Sequence, residues 1–107
     1  MSTPLHLQRC QHQAGQPLGH AEQAGLLTQV DGWAIVDGAL QRRFKFPDFR
    51  HTMAFVNAVA WIANEQDHHP DMAVNYHHCT LRFSTHSVNG LSINDFICAA
   101  RVDALAS

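Results

Sequence analysis

Trp33-Ala34-Ile35-Val36-Asp37-Gly38-Ala39-Leu40 is the stretch from which the rest of the 107-residue chain can be laid out. Asp-Gly readily takes the positive φ angles of a two-residue hairpin turn, and the apolar runs beside it supply the strands. In the second strand, Ala39 to Phe46, the residues Leu40, Phe44 and Phe46 fall on one side and Gln41, Arg43 and Lys45 on the other. One sheet face therefore packs and the other is wet. Arg42 interrupts the packed side and is expected near an edge or a partner surface.

Downstream, Pro47-Asp48 stops the strand, and the Asp48 carboxylate can cap a helix running to about Gln66. Its main apolar stripe is Phe49, Met53, Val56, Ala60 and Ala63, widened by Phe55, Val59 and Ile62; only Arg50, Asn57 and Asn64 form a polar line. A helix this apolar has more surface to bury than one sheet face offers, which suggests self-association. Pro70 forbids continuation, so Asp67-His68-His69 lies at the helix exit. Asp71 to Tyr76 alternates, a turn falls at His77-His78, and Cys79, Leu81 and Phe83 then face opposite to His78, Thr80, Arg82, Ser84 and His86. Asn89-Gly90 turns the chain, and Ser92-Ile93-Asn94-Asp95 has the form of a capping box opening a last helix from Ile93 to Leu105.

Upstream, Leu26, Leu27 and Val30 with Ala21 and Ala24 predict a short helix over Leu18 to Val30, ended by Asp31-Gly32. Residues 1–17 show neither strand nor helix period and read as a flexible N-terminal arm, with His6 and His12 solvated. The expected fold is α+β: a four-stranded antiparallel sheet with three helices packed on one face, in a single domain over residues 18–107.

Apolar residues at 46% and charged residues at 15% are the proportions of a globular domain, and a net charge of −2 without a basic run offers no footprint for nucleic acid. No uninterrupted apolar run approaches the about eighteen residues that a membrane span needs. Cys10, Cys79 and Cys98 are odd in number and lack paired spacing, which favours a reducing, cytoplasmic setting over a disulfide framework.

The chemistry concentrates in Asp67-His68-His69-Pro70, Thr85-His86 and Asp95. Imidazole titrates near neutrality, so His68, His69 and His86 are candidates for general acid and base catalysis. A metal site is the competing reading of His68-His69 and His77-His78. Neither pair has the HxH or HxxxH spacing that presents two nitrogens to one ion, and no metal is expected.

These residues resemble the pterin-4a-carbinolamine dehydratases. The resemblance runs from about Leu18 to Leu105 and rests on Asp67-His68-His69-Pro70, Asn75-Tyr76, Thr85-His86, Gly90-Leu91-Ser92 and Asp95, with Gly32-Trp33, Phe44-Lys45-Phe46 and Asp48-Phe49. It implies that His68, His69 and His86 are the active-site histidines, that they line the pterin pocket with Asp67, Ser84, Thr85 and Ser87, and that Asp95 is a supporting carboxylate. The implied activity is that of 4a-hydroxytetrahydrobiopterin dehydratase, a cofactor-free elimination of water in pterin recycling, carried out by a homo-dimer or homo-tetramer. A catalytically weak member serving as a protein-binding or dimerisation module, or in molybdopterin metabolism, is the alternative. Asn64 and Met72 depart from the Glu and Trp that well-studied animal members carry there.

Overall fold

A computed structural model describes residues 3–105. The chain runs α1 (His20–Leu27), β1 (Ala34–Val36), β2 (Ala39–Lys45), α2 (Phe49–Gln66), β3 (Asp71–Val74), β4 (His78–Phe83) and α3 (Ile93–Leu105), with single 3-10 turns at Leu5–Leu7 and His86–Val88. The four strands form one antiparallel sheet in the order β1-β2-β4-β3. The expected α+β architecture is the observed one. Among the described residues no helix is long and apolar enough to cross a membrane.

Both hairpins form, the first at Asp37-Gly38 as expected and the second over Asn75 to His77 rather than at His77-His78, since β3 ends at Val74 and His78 already belongs to β4. Asp37 and Gly38 take φ of 48° and 78°, joining β1 to β2 with Val36 opposite Ala39. At the second hairpin the Asn75 side chain accepts from the backbone N–H groups of His77 and His78, at 3.2 and 2.9 Å, so an Asx turn closes it. Register then puts Leu40, Arg42 and Phe44 of β2 opposite Phe83, Leu81 and Cys79 of β4 on the packed face. Against them lie Val59 and Ile62 of α2 and Phe96, Ile97 and Val102 of α3, all buried. On the opposite face Arg43 and Lys45 are exposed.

Four other local expectations are revised. Arg42 is neither at an edge nor bare: it lies on the packed face of an inner strand, its guanidinium 4.5 Å from the Phe44 ring centre and its Nη1 2.9 Å from Asp103 Oδ1 on α3. The same carboxylate oxygen accepts from Trp33 Nε1 at 2.8 Å, so one acid serves two donors under the helix. Phe49 does not join the buried stripe of α2; it is 48% exposed and stacks on Tyr76 with ring centres 6.2 Å apart. The first helix stops at Leu27, and Val30 reaches the core from the turn that follows.

The fourth concerns the arm. Leu5 is buried, Arg101 of α3 donates to Gln8 O, and Gln11 N–H donates to Asn94 Oδ1 while Asn94 Nδ2 donates back to Gln11 O at 2.7 Å. Aperiodic sequence here means irregular backbone held by side chains of α3. At the far end of the arm Gly90 meets Pro17, whose Cβ would lie 2.8 Å from any Cβ added at position 90.

Burial raises the Asp103 carboxyl above its ordinary range against the lowering by Trp33 and Arg42. Truncating it therefore costs through stranded donors rather than through a lost strong ion pair. Asp103→Ala should destabilise by about 1–3 kcal/mol in urea denaturation, and Arg43→Ala on the open face by less than about 0.5 kcal/mol. Equal effects of the two would remove Asp103 from the account of the core.

Candidate active site

The site begins at the end of α2. His68 N–H bonds Ala63 O at 3.0 Å and Asp67 N–H bonds Asn64 O at 3.3 Å, the two bonds of a Schellman stop. Asp67 occupies the left-handed position at φ 50°, ψ 44°, where glycine is commonest. This reversal, with Pro70 after it, sends His68 inward and leaves His69 on the surface side.

Asp95, with no exposed surface, receives three bonds. His68 Nε2 donates to Oδ1 at 2.6 Å, and Thr85 Oγ1 and Ser92 N–H donate to Oδ2 at 2.8 and 2.9 Å. The last is the returning half of the expected capping box; the forward half shifts by one residue, Ser92 Oγ accepting from Asn94 N–H at 3.2 Å while Asp95 N–H bonds Ser92 O at 3.2 Å, and Ser92 Oγ also meets Thr85 Oγ1 at 2.7 Å. The His68 ring also stacks on Phe83, with ring centres 6.1 Å apart and planes 9° from parallel. Burial pushes the His68 imidazolium down, but the hydrogen bond and charge of Asp95, with smaller help from Cys10 and Asp67, outweigh it. The net pKa is raised.

His69 is tied more lightly, through Nε2 to Asn64 Oδ1 at 2.9 Å. The carbonyl oxygen can only accept, so Nε2 carries the hydrogen and Nδ1 keeps its lone pair in the neutral ring. Asn64 thus stays in contact with the histidine despite being an amide. The His86 ring is exposed and has no hydrogen-bond partner among the described residues.

All three imidazoles line one open cavity of about 590 Å³, together with Asp67, Ser84, Thr85 and Ser87. That volume falls within the range of about 300–1,000 Å³ usual for small-molecule clefts. Asp95 does not line the cavity; it stands behind His68. Met72 lies outside the lining and packs against the core opposite Leu81. His77 is elsewhere, with Nδ1 at 3.0 Å from Phe46 O, and among the described residues no cluster of three or more His, Cys, Asp or Glu is placed to hold a metal ion.

The sequence did not disclose the fourth wall, made by Cys10, Gln11, His12 and Gln13 of the arm with Gln66 and Asn94. Two signals were available. Gln66 and Asn94 are buried amides on otherwise apolar helix faces, and such groups need partners. Gln66 Oε1 takes the Cys10 N–H at 2.8 Å.

Fold and cavity together define an α+β domain with a histidine-lined cavity. The family model for pterin 4 alpha carbinolamine dehydratase matches residues 16–105. A Stenotrophomonas maltophilia protein named "Putative pterin-4-alpha-carbinolamine dehydratase" is 54% identical over 106 residues, covering 95% of this chain and 91% of its own. A Xanthomonas oryzae pv. oryzae protein of the same name is 51% identical over 106 residues, covering 95% and 90%. The crystal structure of a transcriptional coactivator/pterin dehydratase from Brucella melitensis superposes with a TM-score of 0.82 at 34% identity, over 86% of this chain and 100% of that one. The chain belongs to the pterin 4 alpha carbinolamine dehydratase family.

An NMR titration of the His68 ring should give a midpoint above the ordinary imidazole value of about 6.5, falling below it in Asp95→Asn, where burial acts with less opposition. The linkage has a definite sign: a raised folded-state pKa adds stability that is complete below the unfolded value and lost as pH rises through the folded one. Asp95→Asn should flatten stability against pH in that window. An unchanged His68 midpoint would break the assigned coupling.

Proposed function

We propose that the protein dehydrates 4a-hydroxytetrahydropterins to quinonoid dihydropterins, with His68, His69 and His86 around the substrate and Asp67, Ser84, Thr85 and Ser87 completing its pocket. The observation that carries this reading is the convergence of three differently held imidazoles on one cavity of about 590 Å³. In the reaction a base takes the N5 proton, the N5 electron pair forms the C4a=N5 double bond, and the C4a–O bond breaks as an acid protonates the departing hydroxyl. Nothing in that balance needs an added cofactor.

His69 is assigned as the base, because Asn64 accepts its Nε2 hydrogen and leaves the Nδ1 lone pair available. His86, without a protein partner, is the acid that follows the leaving oxygen. His68 is the protonated anchor: Asp95 holds it on one side, and its charge faces the electron-rich ring from the other. The product is one that a reductase returns to the tetrahydro form for aromatic amino acid hydroxylation, which places the work in the cytoplasm.

His69→Ala should fold as the parent does and slow dehydration by about two to four orders of magnitude, as loss of a general base does. Stopped-flow decay of 4a-hydroxytetrahydropterin, corrected for the unaided reaction, reads it. Parental turnover in the variant would sink the assignment, and no acceleration by the parent across several pterins would sink the function.

Self-association is the second part of the proposal. The edge strand β3 leaves one side unpaired among the described residues, Val74 at its end and Tyr76 just after it are 40% and 58% exposed, and Trp61 on the outer face of α2 is 65% exposed. Unpaired strand edges and apolar patches of this kind are what homo-dimers and homo-tetramers cover. Sedimentation should give two or four chains, and a monomer at micromolar concentration would reject it. A protein-binding role is the second reading, favoured by the Brucella melitensis title and by the same exposed surface.

A further inference from the structure

Cys10 and Cys98 lie 88 residues apart in the chain, yet their sulfurs stand 3.6 Å from each other behind the cavity wall. Cys10 is on the arm and lines the cavity, whereas Cys98 on α3 is completely buried, so a solute meets the pair through Cys10. The arm is pinned on both sides of that thiol. Cys10 N–H donates to Gln66 Oε1, Gln11 N–H donates to Asn94 Oδ1, and Cys10 Sγ itself lies 3.6 Å from Asn94 O. The proposed dehydration uses neither sulfur. Two thiols brought together across the length of the chain, one reachable and one hidden, are arranged as an attacking and a resolving cysteine.

We propose that Cys10 and Cys98 are a hydroperoxide-sensitive modification site that closes reversibly to a disulfide, stapling the arm to α3 at the cavity wall.

Their electrostatic settings are opposite. The hydrogen bond from Cys98 lowers the Cys10 thiol below its ordinary value; burial opposes this, and the charges of His68 and Arg101 assist it. Cys98 is raised by its bond to Cys10 and by burial. Attack on a peroxide therefore falls to Cys10, the sulfur whose residue lines the cavity, because Cys98 has no exposed surface. In the first step the Cys10 thiolate attacks a peroxide oxygen: the S–O bond forms, the O–O bond breaks, and water or an alcohol leaves after taking up a proton. Cys10 becomes a sulfenic acid, oxidised by two electrons. In the second, the Cys98 sulfur attacks the Cys10 sulfur, the S–S bond forms, the S–O bond breaks, and hydroxide leaves with the Cys98 proton as water. Closure brings the sulfurs from 3.6 Å to a bond of about 2.05 Å. Residues 8–14 have no helix or strand, so the arm can make that movement while α3 stays packed.

The test uses the full reduced chain, treated with one equivalent of hydrogen peroxide, then denatured and alkylated with N-ethylmaleimide. Intact mass and peptide mapping should show a linked Cys10–Cys98 peptide, a loss of two hydrogens, alkylation at Cys79 alone, and reversal by dithiothreitol. Cys98→Ser should halt at a sulfenic acid on Cys10 that dimedone labels, and Cys10→Ser should leave Cys98 fully alkylated at the same dose. Three results in the parent would each overturn the proposal: sulfinic acid on Cys10 with Cys98 still alkylated, linkage only between Cys10 residues of two copies, or both thiols unchanged. The readout is mass rather than turnover, so it stands or falls apart from the dehydratase reading.

Discussion

A carboxylate with no exposed surface organises this molecule. Stripping water from an ionised acid costs several kcal/mol unless hydrogen bonds replace it. Asp95 recovers that cost from three donors on three segments: His68 just past α2, Thr85 just past β4, and the Ser92 amide at the start of α3. The requirement that Asp95 be satisfied brings the end of a helix, the end of a strand and the beginning of another helix to one point. Those are the segments that carry His68-His69, Ser84 to Ser87 and Asn94. The cavity is the space left where they meet, and the acid that assembles it is hidden from whatever fills it.

A second, smaller constraint closes the fourth side. Gln66 and Asn94 are amides on helix faces turned towards the interior, each with more polar atoms than their own helices can serve. The arm supplies backbone partners: Cys10 N–H to Gln66, and a two-way exchange between Gln11 and Asn94. Gln66 Oε1 is thereby paired, and Gln66 itself takes part in lining the cavity. The wall is therefore held by polar pairing together with Cys10 packed against the core, and buried Leu5 anchors the chain ahead of it.

Much of this was legible because local chemistry and global packing agree. Asp37-Gly38 specified a hairpin and formed it; the alternation through Cys79, Leu81 and Phe83 matched their burial; Ser92-x-x-Asp95 capped α3. What escaped reading depends on partners far away in sequence. Arg42 looked misplaced because nothing near it in the chain announces Asp103, 61 residues on. Phe49 carried the right helical spacing but is the first residue of α2, where it stays half exposed and stacks on Tyr76. The arm has no period to detect, since irregular backbone bonded by side chains leaves none. For the histidines, spacing showed that they were worth attention, and the family resemblance supplied their grouping; neither supplied the hydrogen-bond partners that distinguish one ring from another.

That distinction is where the fold bears on the proposed chemistry. Three imidazoles in identical surroundings would titrate together and offer either acids or bases, not both. Here the fold gives each ring a different neighbour. A buried anion backs His68 and favours its charged form, a neutral carbonyl fixes the His69 tautomer without adding charge, and His86 is left to the solvent and the ligand. The amide at position 64 belongs to this division: a carboxylate there would place a second anion beside a second imidazole and make His69 more like His68. With Asn64, one carboxylate serves one histidine, and a neutral amide oxygen holds the other through a hydrogen bond alone. An elimination that must take a proton from one atom of a flat ligand while delivering one to its neighbour needs that inequality, and buried Asp95 is the group that creates it.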